Sequence, residues 1–497
     1  MARYKEIEEG QGYFMEIYPE DQFSDYSIEK VINRFVDEEI DITPFSMKYR
    51  NDETGQKAIH PKIKLKVLFY SWVNGIKHSR EIEAMMRQKH LGYVYLSGNI
   101  IIDHSTVCEF IDEFNEEIIG IFSKLLMLMN EMGLIDWTKI MIDGTKIESN
   151  ASKVMTDDLK GFKKKLERYS KMSRRLIERA RYLDRKEQEG EIDARERERE
   201  SERIRRQEKV YSSIIGKIEE YNKEVEKGLK DSKEKVNLTD GESSMLKSEG
   251  GYIQGYNVQA AYSANDIIVD VEAVSSPADQ RLIEERVKRV EAIKKENSVE
   301  QKSKYIADKG YYNPDQLVPL LGNGKEVYVA TPKSMEKTYE TLNRIERDSE
   351  HIYYRCVNGV KVKGYYSKNK DAYRFDIKKK ECAVCSLKSE CWAGLKEGSI
   401  HKRFEVTRTY ADNKELWIKY KQKMEQEEGR WLYNKRLGKE HNFHDLKKFE
   451  SGGRLLRRGR DKCNCEIVLS AIAHNLKKLQ KYLIEQQGKS KLKECYT

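Results

Sequence analysis

Long apolar runs are missing from this chain. A membrane span needs about 18 consecutive apolar residues, and the best candidate, IIGIFSKLLMLM at 118–129, is broken by Lys124. The opening stretch, MARYKEIEEGQG, is polar and lacks the pattern of a signal peptide. A soluble, intracellular protein is therefore expected, and in that setting the eight cysteines are not read as a disulfide framework. Nor does one sign of charge dominate: 93 Lys and Arg face 84 Asp and Glu, leaving +9 and a pI near 8.8. That balance leans only modestly toward a polyanionic partner, so the placing of the bases matters more than their sum. What is present in quantity is charge itself, 36% of residues against 38% hydrophobic. Such a ratio implies a very polar surface or a long solvated element. A length of 497 residues allows two to four domains and a substantial core.

Residues 60–133 read as helices. HPKIKLKVLFYSWVNGI opens on Pro61, a favoured first-turn residue. SREIEAMMRQ begins at Ser79, which reads as an N-cap with Glu81 and Glu83 in the first turn. Val107, Phe110, Phe114, Ile118, Phe122, Leu125 and Leu128 recur with a helical period. Short helices with basic connectors suit a helix-turn-helix-like DNA-binding domain; an ordinary helical bundle fits the pattern equally well. At 138–146 TKIMIDGTK reads as a buried strand ending in Asp143 and Gly144. The charged stretch 158–230 carries one apolar stripe at Phe162, Leu166, Tyr169, Leu176 and Leu183. A second lies at Val210, Ile214, Ile218, Tyr221 and Val225. These predict a protruding antiparallel helical pair with charges too mixed to form one basic groove. Two β-rich runs separated by SAND at 263–266 predict a hairpin. Then follow a helix over about 279–295, a strand ending at Asp308, a helix capped by Asn313-Pro314, and a strand at 325–332. The succession over 138–332 is a mixed α/β layer.

Two acids thus stand at the ends of apolar strands, a costly place for a carboxylate without a partner. Brought together, Asp143 and Asp308 would repel, and a divalent cation would relieve the repulsion. Glu440, from a later helix, would add a third oxygen ligand. Hard ions such as Mg²⁺ or Mn²⁺ suit such a site, with positions left open for water and phosphate. Each acid alone reads as an ordinary cap or surface residue. The segment LYNKRLGKEHNFHDLKK at 432–448 changes the balance. Taking Tyr433 as zero on a helix, Arg436 falls at roughly −60°, Glu440 at roughly −20° and Lys447 at roughly −40°. A phenol, a guanidinium, a carboxylate and an ammonium share one narrow arc. Arg436 and Lys447 could hold phosphate oxygens near a metal, and Tyr433 could hydrogen-bond or stack.

The order Y-x2-R-x3-E-x6-K formed by Tyr433, Arg436, Glu440 and Lys447 resembles the signature of a large superfamily of bacterial insertion-sequence DDE transposases. IDGTKIESNAS resembles the motif around that family's first catalytic Asp, here Asp143. ADKGYYN resembles the second, here Asp308. GYNVQAAYS, HPKIKLKVLFYSWVNGIKHSREIE and AIAHNLKKL resemble the strand between them, the N-terminal domain and the C-terminal helix. The likeness spreads over about residues 45–480. It departs at EHNFHD, where His444 stands in place of a glycine frequent in the family.

The resemblance implies a multidomain α/β protein with an RNase H-like mixed-sheet core. Asp143, Asp308 and Glu440 would be catalytic and would bind Mg²⁺ or Mn²⁺, as two ions. Tyr433, Arg436 and Lys447 would contact DNA. The expected parts are a helical DNA-binding domain at 1–133, core at 134–157 and 236–335, and the helical-pair insertion at 158–235. A cysteine-bearing insertion at 336–405, the C-terminal helical part of the core at 406–485 and a tail at 486–497 complete the chain. In the insertion, Cys356, Cys382, Cys385 and Cys391 supply four thiolates that suit a structural Zn²⁺; reduced, unliganded thiols are the other reading. Transposon ends and target DNA are the expected partners. A homodimer or higher assembly is expected at synapsis, in a bacterial cytoplasm in association with the nucleoid. Three rivals stand beside a transposase: an inactive transposase-derived DNA-binding protein, an RNase H-like nuclease that cuts without joining, and a helical scaffold.

Overall fold

The computed structural model of the protein describes residues 18–49, 58–229, 231–248, 250–378, 385–387, 401–437 and 454–496. Its described residues fall into two units. One holds 18–135 and 467–496, and the other holds 136–437 and 454–466.

The first unit is helical, as its periodicity predicts. Helix Pro61–Val73 starts on a proline, and the His60 ring accepts a hydrogen bond from the Lys62 amide at 3.2 Å. Leu65, Leu68, Phe69 and Trp72 are buried along it. Helix Ser79–Arg87 takes His78 as its N-cap, so Ser79 is its first residue and not its cap. The run expected as one helix is two, His104–Glu113 and Asn115–Glu131, hinged at Phe114. Asp103 caps the first of these by accepting from the Ser105 and Thr106 amides, at 3.0 Å each. From Ile467 onward the closing helix Arg460–Tyr496 groups with this unit rather than with the sheet. Ile467, Leu469, Ile472 and Leu476 on it are buried. Lys77, itself buried, donates to Ser470 at 3.1 Å. The segment 406–485, expected as the C-terminal helical part of the core, thus divides between the two units after Glu466.

The second unit is built on a six-stranded mixed sheet. Its strands are β1 (Lys139–Glu148), β4 (Ser244–Ser248), β5 (Gly251–Ser263), β6 (Ile268–Val274), β7 (Lys304–Ala307) and β8 (Glu326–Val329), in the order β4-β5-β1-β7-β8 with β6 also on β5. β5 and β6 are the predicted hairpin, antiparallel to each other; β5 is antiparallel to β1. β7 and β8 run parallel to β1, which requires crossovers. Helices Ile283–Glu296 and Pro314–Gly322 supply them. The buried Arg286 ties the first crossover to β6 through Asp270 at 3.2 Å, and Arg289 adds a second contact at 2.9 Å.

β1 does not end at Asp143. It continues to Glu148, paired with β5 from Ile140↔Ser263 to Glu148↔Gly255. Gly144 interrupts the apolar text but not the backbone ladder, so Asp143 lies mid-strand. It is the ladder with β7 that stops beside it, at Ile142↔Ala307.

The long charged stretch enters between β1 and β5. A two-stranded ribbon, β2 (Thr156–Asp157) and β3 (Val236–Asn237), forms its base. Above it stand two helices, Leu159–Gln188 and Ala194–Glu226, capped by Asp158 and Asp193. Phe162 faces Tyr221, Tyr169 faces Tyr211, Arg179 pairs with Glu200, and Arg197 pairs with Asp184. As one residue number rises the other falls, which is the register of an antiparallel pair. Val210, expected in the stripe, is exposed; its neighbour Tyr211 and the buried Ile204 take the seam.

The cysteine-bearing region, for which no elements were predicted, forms an antiparallel five-stranded sheet in the order β13-β12-β11-β10-β9. Its strands are β9 (Ile345–Arg347), β10 (Ile352–Arg355), β11 (Lys361–Ser367), β12 (Ala372–Lys378) and β13 (His401–Thr407). Phe375 stacks on Phe404, and Tyr354 packs against both rings, tilted to the first and edge-on to the second.

Candidate active site

Parallel pairing of β1 with β7 brings the two predicted aspartates together. Ile142 lies opposite Ala307, so the next residues along, Asp143 and Asp308, lie side by side where that ladder ends. Both are part-buried. Each carboxylate is turned by its own chain: Asp143 Oδ1 accepts from the Gly144 amide at 2.8 Å, and Asp308 Oδ1 from the Lys309 amide at 2.6 Å.

The signature helix reaches the same strands. Within Glu427–Leu437, Leu432 is buried against Ile306 of β7 and Tyr328 of β8. Lys304 pairs with Glu428, and Lys139 lies 4.6 Å from the Trp431 ring centroid. Held in this way, Tyr433 donates its hydroxyl hydrogen bond to Asp308 Oδ1 at 3.3 Å. Arg436 follows one turn later on that helix. Glu440 and Lys447, expected as the third acid and a phosphate contact, lie outside the described residues, and so does His444.

A third acid, missed in the sequence, belongs to this neighbourhood. Asp279, in the loop SSPADQR after β6, accepts from Asn257 at 2.8 Å and from Gln259 at 3.0 Å. Gln259 pairs with Gly144 across the β1–β5 ladder. A Cβ at Gly144 would stand 2.3 Å from Gln259 Nε2 and 2.9 Å from Asp279 Oδ1. A side chain beside Asp143 would thus have to displace Gln259 and Asp279. A Cβ at Gly310 would lie 3.7 Å from Asp279 Oδ2 and 3.9 Å from Asp308 Oδ2, so the two carboxylates flank one point. Tyr311, buried below, donates to Gln259 Oε1 at 2.5 Å. Burial raises its phenol well above the ordinary value, and the negative charges of Asp279 and Asp143 push it the same way. The available signal was the i, i+2 placing of Asn257 and Gln259, two fully buried amides on one strand face.

The basic segment GGRLLRRGRDK also meets β1. Arg454 bridges to Glu148, and the Leu455 amide donates to the Glu148 carbonyl at 2.7 Å. Glu466, buried, accepts from the Leu456 and Arg457 amides at 3.0 and 3.3 Å. Asp240 accepts from Gly459 at 3.2 Å and Glu242 from Arg460 at 2.9 Å. Three acids therefore hold this loop by its backbone, while Arg454, Arg458 and Arg460 stay exposed.

Asp143 and Asp308 are hard oxygen donors side by side, the chemistry that suits Mg²⁺ or Mn²⁺. Among the described residues no set of three or more His, Cys, Asp or Glu side chains comes together closely enough to hold a metal ion. Of the expected zinc ligands, Cys356 opens the turn between β10 and β11, its amide donating to Val360 at 2.9 Å. Cys385 is part-buried, and both are free thiols. Cys382 and Cys391 lie outside the described residues.

Two family models match the chain. One, described as a transposase DDE domain, covers residues 355–480. The other, described as a transposase domain (DUF772), covers 17–113. Both are models of transposase domains. Together they indicate an insertion-sequence transposase of the DDE type. The DDE match spans the signature helix and stops short of the strands that carry Asp143 and Asp308. No curated protein and no solved structure matches. No helix among the described residues is long and apolar enough to cross a membrane.

Proposed function

We propose that this transposase binds the ends of an insertion sequence, hydrolyses the phosphodiester there and joins the freed 3′-ends to target DNA. The observation that carries this reading is the side-by-side placing of Asp143 and Asp308, with the signature residue Tyr433 bonded to the second. The order β6-β5-β1-β7-β8, antiparallel on one side of β1 and parallel on the other, is the arrangement of an RNase H-like core and supports it. Asp143, Asp308 and Glu440 would hold Mg²⁺ or Mn²⁺, as two ions. When bound, such ions supply Lewis acidity to the attacking and leaving oxygens. Tyr433 fixes the rotamer of Asp308, Asp279 keeps the amides of Asn257 and Gln259 in place beside Gly144, and Arg436 and Lys447 grip the flanking phosphates. Attack of water on phosphorus breaks the P–O3′ bond and leaves a 3′-hydroxyl and a 5′-phosphate. Attack of that hydroxyl on a target phosphate forms the new P–O3′ bond and releases a target 3′-oxygen. No enzyme-linked intermediate is needed.

The helical unit at 18–135 would recognise the ends, two copies would meet at synapsis, and the protein would work at the nucleoid in the cytoplasm. Cys356, Cys382, Cys385 and Cys391 would hold one structural Zn²⁺, which elemental analysis of the purified protein would detect. The deciding experiment incubates the protein with DNA carrying candidate ends and a target duplex, with and without Mg²⁺. Metal-dependent nicking followed by joined products is the expected result. Nicking without joining would make the protein a nuclease; binding without nicking would make it a transposase-derived DNA-binding protein.

A further inference from the structure

The charged stretch looks evenly mixed as text, but its division into two helices sorts the charges. Helix Leu159–Gln188 carries twelve Lys and Arg against four Asp and Glu, whereas helix Ala194–Glu226 carries nine of each. On the first helix the bases are sorted again, by face. Phe162, Leu166, Tyr169, Leu176 and Leu183 occupy the side toward the second helix, as the Phe162–Tyr221 and Tyr169–Tyr211 ring contacts establish. Lys160, Lys163, Lys164, Arg168, Lys171, Arg174, Arg175, Arg181 and Arg185 are exposed and fall within an arc of roughly 140° on the opposite side. The acids in that arc are Glu167 and Glu178. Among the described residues none of these nine bases has an ion pair. The bases that do, Lys165, Arg179 and Lys186, lie toward the flanks of the ridge.

Stability does not call for such a ridge. Like charges at i, i+4 on an exposed helix are mildly destabilising, and Lys160–Lys164, Lys164–Arg168, Lys171–Arg175 and Arg181–Arg185 are four such pairs. The second arm helix, equally exposed, places acids among its bases instead. From Lys160 to Arg185 the ridge extends roughly 38 Å at a helix's rise per residue, about the length of eleven stacked base pairs at one phosphate per 3.4 Å of each strand.

We infer that the outer face of helix Leu159–Gln188 is a contact surface for the phosphate backbone of double-stranded DNA flanking the bound end. The choice of DNA among polyanions rests on the transposase reading. The charge, length and face of the ridge do not. Its contacts are to phosphate, so they add affinity without reading sequence.

The test uses the full-length protein without Mg²⁺, so that cleavage does not enter, and measures binding of a labelled end-bearing duplex over a range of NaCl concentrations. The ridge variant carries Lys163→Gln, Arg168→Gln, Lys171→Gln and Arg175→Gln. A control of equal charge loss carries Arg195→Gln, Arg199→Gln, Arg205→Gln and Lys209→Gln on exposed sites of the second helix. Glutamine is a good helix former, and circular dichroism checks that both arms persist. The ridge variant should lose roughly 3–4 from its log–log salt slope, and affinity should fall on the order of tenfold or more at low salt. The control should keep both. A charge-conserving variant, Lys163→Arg with Lys171→Arg, should keep the slope even if the glutamine variant folds poorly. Equal losses in ridge and control variants, or an unchanged slope in the ridge variant, overturns the inference while the transposase reading stands. An unchanged slope with altered sedimentation would make the ridge a subunit contact instead. Wild-type protein that binds no DNA overturns both readings.

Discussion

The central sheet and the helical arm carry charge in opposite ways. In the sheet two carboxylates, Asp143 and Asp308, are set next to each other by backbone pairing, and the groups around them are held by named partners at fixed distances. In the arm, charge is spread over two long helices, and no single residue is indispensable to the face it helps to form. Position matters in the first region and sum matters in the second. Substitutions in the sheet should therefore act in steps, and substitutions on the outer face of the arm should act in proportion.

The largest effect is expected from Asp143→Asn or Asp308→Asn. Either change keeps shape and removes a charge, so strand cleavage should fall on the order of a thousandfold or more while folding and end-binding persist. Single-turnover nicking measured beside a thermal melt checks this. Wild-type nicking by either variant would remove that residue from the site and erase the contrast at its root.

Next comes the seam of the arm. Phe162 is fully buried with Met155, Ile218 and Tyr221 where the arm meets its ribbon. Phe162→Ala should cost about 3–5 kcal/mol of local stability. Hydrogen exchange should show the loss over 159–226, while β1, β5 and β7 stay protected. If exchange rose equally in the sheet, arm and sheet would be one cooperative element and the comparison would fail. Gly144→Ala should cost less, about 1–3 kcal/mol, because its Cβ would displace Gln259 and Asp279. Here melting temperature and nicking rate should fall together, since the displaced groups lie beside Asp143.

These differences also explain what the sequence could tell. Asp308 was legible because the apolar run Tyr305–Ala307 stops at it and a capped turn follows. The placing of Asp143 beside Asp308 was legible, but Asp143 was misread as a strand end, because Gly144 looks like a break in text and is not one in the ladder. Asp279 had no signal in its own segment: the hint lay in the amides Asn257 and Gln259, and this polar loop residue comes beside Asp143 only when the β5–β6 hairpin folds it over Gly144. Charge on the arm was misread for a related reason. Counted over 158–230, 23 bases face 17 acids, and only the turn at 189–193 reveals that the surplus belongs to one helix. Local periodicity was readable in most segments; strand pairing between distant segments was not, because nothing in either segment alone records it.

The smallest effect sharpens the comparison most. Tyr433 is the point where the signature helix touches Asp308, by one hydroxyl at 3.3 Å. Tyr433→Phe keeps the ring and removes that hydrogen bond, a change worth about 1 kcal/mol. If the hydroxyl steadies Asp308 in the reacting geometry, nicking should slow by about fivefold. Melting temperature and DNA affinity should hardly move, since Leu432, not Tyr433, supplies the helix's buried contact with β7 and β8. An ordinary surface tyrosine would give no change in rate. A structural one would lower the melting temperature as much as the rate. A drop confined to the chemical step is the outcome that ties the signature helix to the carboxylate pair, and an equal drop in affinity would instead make Tyr433 a DNA contact.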